Sequence, residues 1–257
     1  MILGAVQGIT EFIPVSSSGH LALLQQLFKD FEQPGILFDV FLHFATFLAV
    51  AVYFRQKVKT LILAFTGLFL TRHRVTYYNN KIILWCIVIA SIPTAIIGYM
   101  MEGIIEKMFS STTIVGYALI ATSLLLLLSD KMKCNGKINS LKAFIIGIIQ
   151  GISVIPGISR SGSTISFALF MNVKREDAAE FSFILSMPAI IGALCLQIRN
   201  IGEVDPYTFY IYSIGMITAF CTGLFSIYIV LQLVKKANFK IFALYCLIVG
   251  IYTIVFI

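Results

Sequence analysis

The chain has little charge for its size. Only 12% of its 257 residues are Asp, Glu, Lys or Arg, against 59% hydrophobic residues. That balance excludes an ordinary water-soluble domain, which carries about twice as much charge, and makes lipid the expected solvent. There is a single Trp, there are only three His, and the five Cys (Cys86, Cys134, Cys195, Cys221, Cys246) form no C-x-x-C pair and lie mostly in apolar runs. Neither a structural zinc site nor a disulfide framework is indicated, and packing is the expected role of the thiols. A basic leader is also lacking: the apolar start is interrupted by Glu11 and Pro14, so the N-terminus reads as part of the mature fold.

Apolar runs recur along the whole chain. Six are long enough to cross a hydrocarbon core of roughly 30 Å, over about 36–54, 82–101, 112–129, 178–198, 209–234 and 240–257. They leave no room for a soluble domain, and one membrane domain over 1–257 is expected. Two further segments, 1–28 and 141–172, are apolar at both ends and broken in the middle by Pro, Gly and hydroxyl residues. Each half is too short to span. They read as re-entrant hairpins of paired half-helices, tolerable at membrane depth where protein or a water-filled cavity satisfies the backbone.

The broken segments match without gaps when shifted by 143 positions. Gly4, Gln7, Gly8, Ile9, Ser16, Ser18 and Gly19 recur as Gly147, Gln150, Gly151, Ile152, Ser159, Ser161 and Gly162, which is an internal duplication. Repeat one covers about 1–129 and repeat two about 141–257, each a hairpin followed by three spans. Because three is odd, the second hairpin enters from the opposite side. The expected fold class is therefore an all-α integral membrane protein with six transmembrane helices and two re-entrant helical hairpins in an inverted-topology repeat.

Charge supports that topology. All Lys and Arg but four (Lys29, Lys107, Arg160, Arg199) fall in the loops 55–81, 130–142, 173–177 and 235–240, on one side of it. By the positive-inside rule that side is cytoplasmic, so the first hairpin opens outward and the C-terminus is external. The net charge of +7 is then a topology signal, aided by anionic lipid, and calls for no nucleic acid. The apolar stretch 60–70 is too short to cross and is expected in the interface.

Charges at depth are few: Glu11, Arg160 and, near a span end, Asp39. An ionisable residue inside a membrane is costly and points to a function and a partner. Glu11 and Arg160 are the expected pair, either lining one cavity at the hairpin tips or locking the hairpins together. Asp39 is assigned to the first-turn dipole of its helix. Around the pair the tips concentrate Ser16, Ser17, Ser18, Gly19 and His20 on one side and Ser159, Ser161, Gly162, Ser163 and Thr164 on the other. Each tip starts a half-helix whose first N–H groups lack intrahelical partners, which makes an anion site, and Arg160 adds a planar fork suited to a diphosphate. The same Ser and Gly residues also suit close helix packing alone.

Gln7 and Glu11 are four apart, on one helix face, where an amide oxygen and a carboxylate can hold a divalent cation against phosphate oxygens. Ser17 and His20 are three apart, so the imidazole can take the serine proton or activate water. His43, in an apolar run, reads as a packing or supporting residue, and His73 in a loop as solvated.

The stretches Gln7-Gly8-Ile9-Thr10-Glu11 and Pro14-Val15-Ser16-Ser17-Ser18-Gly19-His20 resemble the (E/Q)xxxE and PVSSxGH signature of the undecaprenyl-diphosphate phosphatases, the bacitracin-resistance family. Residues 156–164 are similar to that family's second signature, PGxSRSxxT. The resemblance runs along almost the entire chain. It implies hydrolysis of undecaprenyl (polyprenyl) diphosphate to the monophosphate and inorganic phosphate, recycling a lipid carrier for envelope glycan synthesis. It implies Glu11, Ser17, His20 and Arg160 as catalytic residues, and Gln7, Ser16, Ser159, Ser161 and Thr164 as substrate contacts. It also implies Mg²⁺ or Ca²⁺ at Glu11 and Gln7, and a multi-pass protein of the cell (inner or plasma) membrane with its site facing outward. Many members have Glu where this chain has Gln7, which removes one negative charge from the metal site.

The residues leave three matters open: whether Ser17, His20 or a metal-bound water attacks phosphorus; whether the chain is a monomer or a homodimer; and whether it is instead a polyprenyl-phosphate flippase, since carriers also use inverted repeats with broken helices.

Overall fold

The computed structural model describes residues 1–27, 35–197, 206–236 and 238–257. Among them the chain is helical, without strands; one isolated bridge pairs Gly136 with Val173. Eleven α-helices follow one another: α1 Ile2–Phe12, α2 Ser17–Leu27, α3 Gly35–Tyr53, α4 Arg55–Thr66, α5 Arg74–Phe109, α6 Thr112–Asp130, α7 Ser140–Ile152, α8 Arg160–Phe170, α9 Arg175–Gln197, α10 Pro206–Lys235 and α11 Lys240–Phe256.

Among the described residues α5, α6, α9 and α10 are long and apolar enough to cross a membrane. The pair α3 and α4 passes the same test together but is bent by 88°. Six spans were expected where this measure finds four or five. The difference lies partly in α11, whose 17 apolar residues rise only about 26 Å. It lies also at the bend after Tyr53, where Arg55, Lys57 and Lys59 turn α4 away from α3. Residues 60–66 of the expected interfacial stretch belong to α4. Its Leu61 and Ala64 bury against Leu84 and Ile184, while Lys57 pairs with Glu180 at 2.6 Å.

The polarity is that of a protein solvated by lipid. Ile241, Leu244, Ile248, Ile251, Tyr252 and Val255 leave one face of α11 exposed, whereas Gln7, Glu11, Thr46, Thr122, Ser123, Gln150, Ser159 and Ser161 are buried. Apolar surface gains nothing by hiding from lipid, so close packing and polar contacts between helices hold the interior. Cys86, Cys134 and Cys246 are buried as free thiols, whereas Cys195 and Cys221 are exposed.

The two duplicated segments pack crosswise. α1 lies against α10 and α7 against α5, while α6 pairs with α11 and α3 with α9. A Cβ on Gly4 would strike the Gly215 carbonyl, and one on its counterpart Gly147 would strike that of Ala90, so both half-helices sit backbone to backbone on their partners. At the breaks, Gly19 faces Gly157 and Gly162 faces Pro14. Under the shift of 143 these are one contact made twice.

A candidate active site at the two hairpin tips

Both breaks are held by the same cap. Ser16 Oγ accepts from Gly19 N at 3.2 Å and Ser159 Oγ accepts from Gly162 N at 3.1 Å, which satisfies one orphan donor at the start of α2 and one at the start of α8. The backbones differ: Ser16 has φ 70°, in the left-handed region, whereas Ser159 has φ −73°. A residue from the other half steadies each break. Thr122 Oγ1 of α6 donates to the Gly157 carbonyl at 3.0 Å and accepts from Ser159 N at 3.0 Å. Cys246 Sγ of α11 donates to the Pro14 carbonyl at 3.8 Å. Gly157 itself has φ +96°, a conformation only glycine adopts without strain.

These tips bring Glu11 and Arg160 together. Arg160 Nη2 donates to Glu11 Oε1 at 2.5 Å, and the side chains are 16% and 6% exposed. The other carboxylate oxygen, Oε2, accepts from Ser17 Oγ at 2.6 Å and from Gln7 Nε2 at 2.9 Å. One buried carboxylate therefore gathers a cation, a hydroxyl and an amide from three helix segments.

His43 of α3 joins the same group. Its Nδ1 lies 2.9 Å from Gln7 Nε2 and 3.3 Å from Glu11 Oε2. One ring nitrogen cannot both accept from the amide and donate to the carboxylate, so the two contacts belong to different states of Nδ1, bare in one and carrying hydrogen in the other. Residues 41–44 gave no sign of this beyond the spacing of Asp39 and His43, four apart and so on one helix face. Asp39 accepts from Gln25 Nε2, at 3.2 Å to each carboxylate oxygen.

Three expected residues stand differently from their sequence neighbours' promise. His20 does not bond Ser17: its Nδ1 contacts the Ser16 carbonyl at 2.7 Å and its Nε2 contacts the Tyr245 hydroxyl at 2.7 Å. Thr164 Oγ1 donates to the Arg160 carbonyl at 2.8 Å and lies 2.6 Å from Ser182 Oγ of α9. Ser161 Oγ sits 3.4 Å from Ser159 Oγ and is buried. Ser182 also reaches Arg160, whose Nη1 donates to the Ser182 carbonyl at 3.5 Å. Ser182 and Tyr245 lie outside the motifs, 22 and 225 positions from their partners, and nothing in the local sequence marks them.

The donor set fits a cation that takes few protein ligands. Gln7 Oε1 is buried and accepts from no donor, on the same amide whose Nε2 faces Glu11, while the described residues hold no cluster of three or more His, Cys, Asp or Glu. Mg²⁺ is commonly held this way, by one or two protein groups with phosphate oxygens and water completing its shell.

Residues 1–252 match the family model for bacitracin resistance protein BacA. The chain is similar to an undecaprenyl-diphosphatase of Methanococcus vannielii, 39% identical with 100% of this chain and 99% of the relative aligned. It is similar also to undecaprenyl-diphosphatases of Syntrophotalea carbinolica (39%, covering 97% and 95%) and Treponema denticola (39%, covering 98% and 94%). With two hairpin tips joined at one carboxylate and a match running from end to end, the chain belongs to the bacitracin resistance protein BacA family.

Proposed function

We propose that the chain is an undecaprenyl-diphosphatase. It hydrolyses the anhydride of undecaprenyl diphosphate to undecaprenyl phosphate and inorganic phosphate, recycling the carrier for cell-wall synthesis and conferring bacitracin resistance. The observation that carries this is the Glu11 carboxylate, which holds Arg160 on one oxygen and Ser17 on the other. A diphosphate entering between the half-helix starts competes with Glu11 for Arg160, whose planar fork suits phosphate oxygens. Glu11 is then left with the Ser17 proton as its nearest one.

In this reading Ser17 Oγ attacks the terminal phosphorus and its proton passes to Glu11. The P–O–P bond breaks, undecaprenyl phosphate leaves, and the terminal phosphoryl group stays on Ser17 as a phosphoserine. Water then attacks that phosphorus and gives a proton to His20 Nε2, the P–Oγ bond breaks, Glu11 returns its proton to Ser17 Oγ, and inorganic phosphate leaves. Arg160 and the N–H groups at the starts of α2 and α8 offset charge on the equatorial oxygens, and positioning supplies much of the rest. Ser16 and Ser159 serve mainly as caps, with hydroxyl protons left to donate to phosphate. Ser161 and Thr164 support Arg160 from the α8 side. Gln7 Oε1 and Glu11 would hold Mg²⁺ or Ca²⁺, and the ion would neutralise part of the diphosphate charge.

The same reading takes the crosswise packing as an inverted repeat of six spans and two re-entrant hairpins in one domain. Support comes from contacts made twice, Gly19 with Gly157 and Pro14 with Gly162. The basic loops set the cytoplasmic side of the cell membrane and an outward-facing site. The prenyl tail stays in lipid, so only the head group enters.

The test is phosphate release from C55 polyprenyl diphosphate by purified protein in detergent, with Mg²⁺ or Ca²⁺ and then with EDTA. Metal-dependent release that is lost in Glu11→Ala, Arg160→Ala and Ser17→Ala supports the hydrolase. Folded protein that binds the lipid without releasing phosphate would sink this reading and favour a flippase.

A further inference from the structure

Tyr245 lies on the outward face of α11, 44% exposed, among Ile241, Leu244 and Ile248. In hydrocarbon a phenol hydroxyl finds no partner, and an amphipathic ring turns its polar end toward one. Here the hydroxyl turns inward to Nε2 of His20, at 2.7 Å, with the planes of the two rings within 7° of parallel.

The opposite nitrogen decides which way the proton lies. His20 Nδ1 is 2.7 Å from the Ser16 carbonyl, and a carbonyl only accepts, so Nδ1 carries a hydrogen. In the neutral ring Nε2 is therefore the acceptor and the Tyr245 hydroxyl donates to it. When the ring takes up a proton, the phenol's hydrogen passes to Nε2 as the incoming proton replaces it on the oxygen, and the bond ends reversed, with Nε2–H donating to the phenol oxygen. A hydroxyl serves both states without moving, whereas an apolar neighbour would serve neither.

We propose that Tyr245 is a positioning residue for the hydrolysis: through its hydroxyl it keeps Nε2 of His20 as the proton acceptor and turns the imidazole away from Ser17, leaving that serine to Glu11. The inference rests on the reading that His20 acts in the hydrolysis. It assigns to α11, a helix outside both hairpin motifs, a part in the reaction. It also explains why two neighbours in one helix turn, Ser17 and His20, have different partners.

The experiment compares wild type, Tyr245→Phe, His20→Ala and the double variant for phosphate release from C55 polyprenyl diphosphate in detergent with Mg²⁺. Loss of one hydrogen bond on the acceptor nitrogen is expected to lower kcat about ten-fold in Tyr245→Phe, with KM unchanged. It should have no further effect in the His20→Ala background. With only three histidines in the chain, ¹⁵N-histidine spectra of wild type and Tyr245→Phe supply a second readout. The Nε2 resonance that disappears in His20→Ala should shift when the phenol hydroxyl is removed. A wild-type kcat in Tyr245→Phe, an equal loss in both backgrounds, or an unshifted Nε2 resonance overturns the inference while the hydrolase stands. A wild type that releases no phosphate overturns the hydrolase reading itself.

Discussion

Glu11 and Arg160 stand 149 positions apart in the chain and meet at 2.5 Å, each carried by a different one of the two matching broken segments. The contact ties the two hairpin tips as well as building the site. Removing either partner leaves the other charge buried. Arg160→Ala and Glu11→Ala are each expected to lose about 3–5 kcal/mol of stability, and the double variant should recover part of it. Thermal unfolding in one detergent checks this; single variants that melt with wild type would show that the pair does not hold the tips.

Gln7 contributes an amide where a second carboxylate would add charge. Gln7→Glu is expected to tighten the apparent Mg²⁺ requirement on the order of ten-fold, because affinity for hard cations follows the charge of their ligands. It also removes the N–H now donated to Glu11 Oε2, so the half-maximal point should move to lower Mg²⁺ than in wild type. A Mg²⁺ titration of phosphate release decides it, and superimposable curves would exclude Gln7 from the metal site.

His43 enters the site from α3, outside both motifs. His43→Phe keeps an aromatic ring but removes the contacts to Gln7 and Glu11. Losing one hydrogen bond to a charged group is worth about 1.5–3 kcal/mol, so phosphate release should drop by roughly ten-fold or more. Steady-state kinetics indistinguishable from wild type would return His43 to a packing role.

Gly157 and Gly98 make a matched pair of glycine tests. At Gly157 φ is +96° and an added Cβ would stand 2.5 Å from the Val115 carbonyl, whereas at Gly98, within α5, it would meet nothing within 4 Å. Gly157→Ala should cost about 1–3 kcal/mol and disturb the start of α8, lowering activity with stability. Gly98→Ala should be neutral or gain up to about 1 kcal/mol, as alanine usually does in a helix. The melting temperature should fall in Gly157→Ala and hold or rise in Gly98→Ala; a fall in both, or in neither, refutes the argument from space and torsion.

Much of this architecture is legible in the sequence because lipid makes apolarity nearly continuous wherever a helix crosses, and Pro, Gly and Ser mark the interruptions. The two broken segments are visible in residues 13–19 and 155–162, and their duplication in seven shared identities names the tips. Helix-surface spacing misleads at Ser17. It is the first residue of α2, and a side chain there leans toward the N-terminus, so it reaches back across the break to Glu11 instead of forward to His20. His43 is hidden by its apolar neighbours. Ser182 and Tyr245 are hidden by distance, since only the folded chain brings α9 and α11 to α8 and α2. The bend after Tyr53 had no Pro or Gly to announce it; basic residues after an apolar run were its one trace.

Thr122 and Cys246 occupy corresponding places beside Gly157 and Pro14, but one grips its break with two hydroxyl bonds and the other with a single thiol at 3.8 Å. A thiol is a weak donor, so the energy needed to displace the Pro14 turn is smaller than that for the Gly157 turn. The two matching tips therefore differ in compliance. The tip bearing Ser17 and His20 is thereby the looser of the two, and the tip bearing Arg160 the firmer.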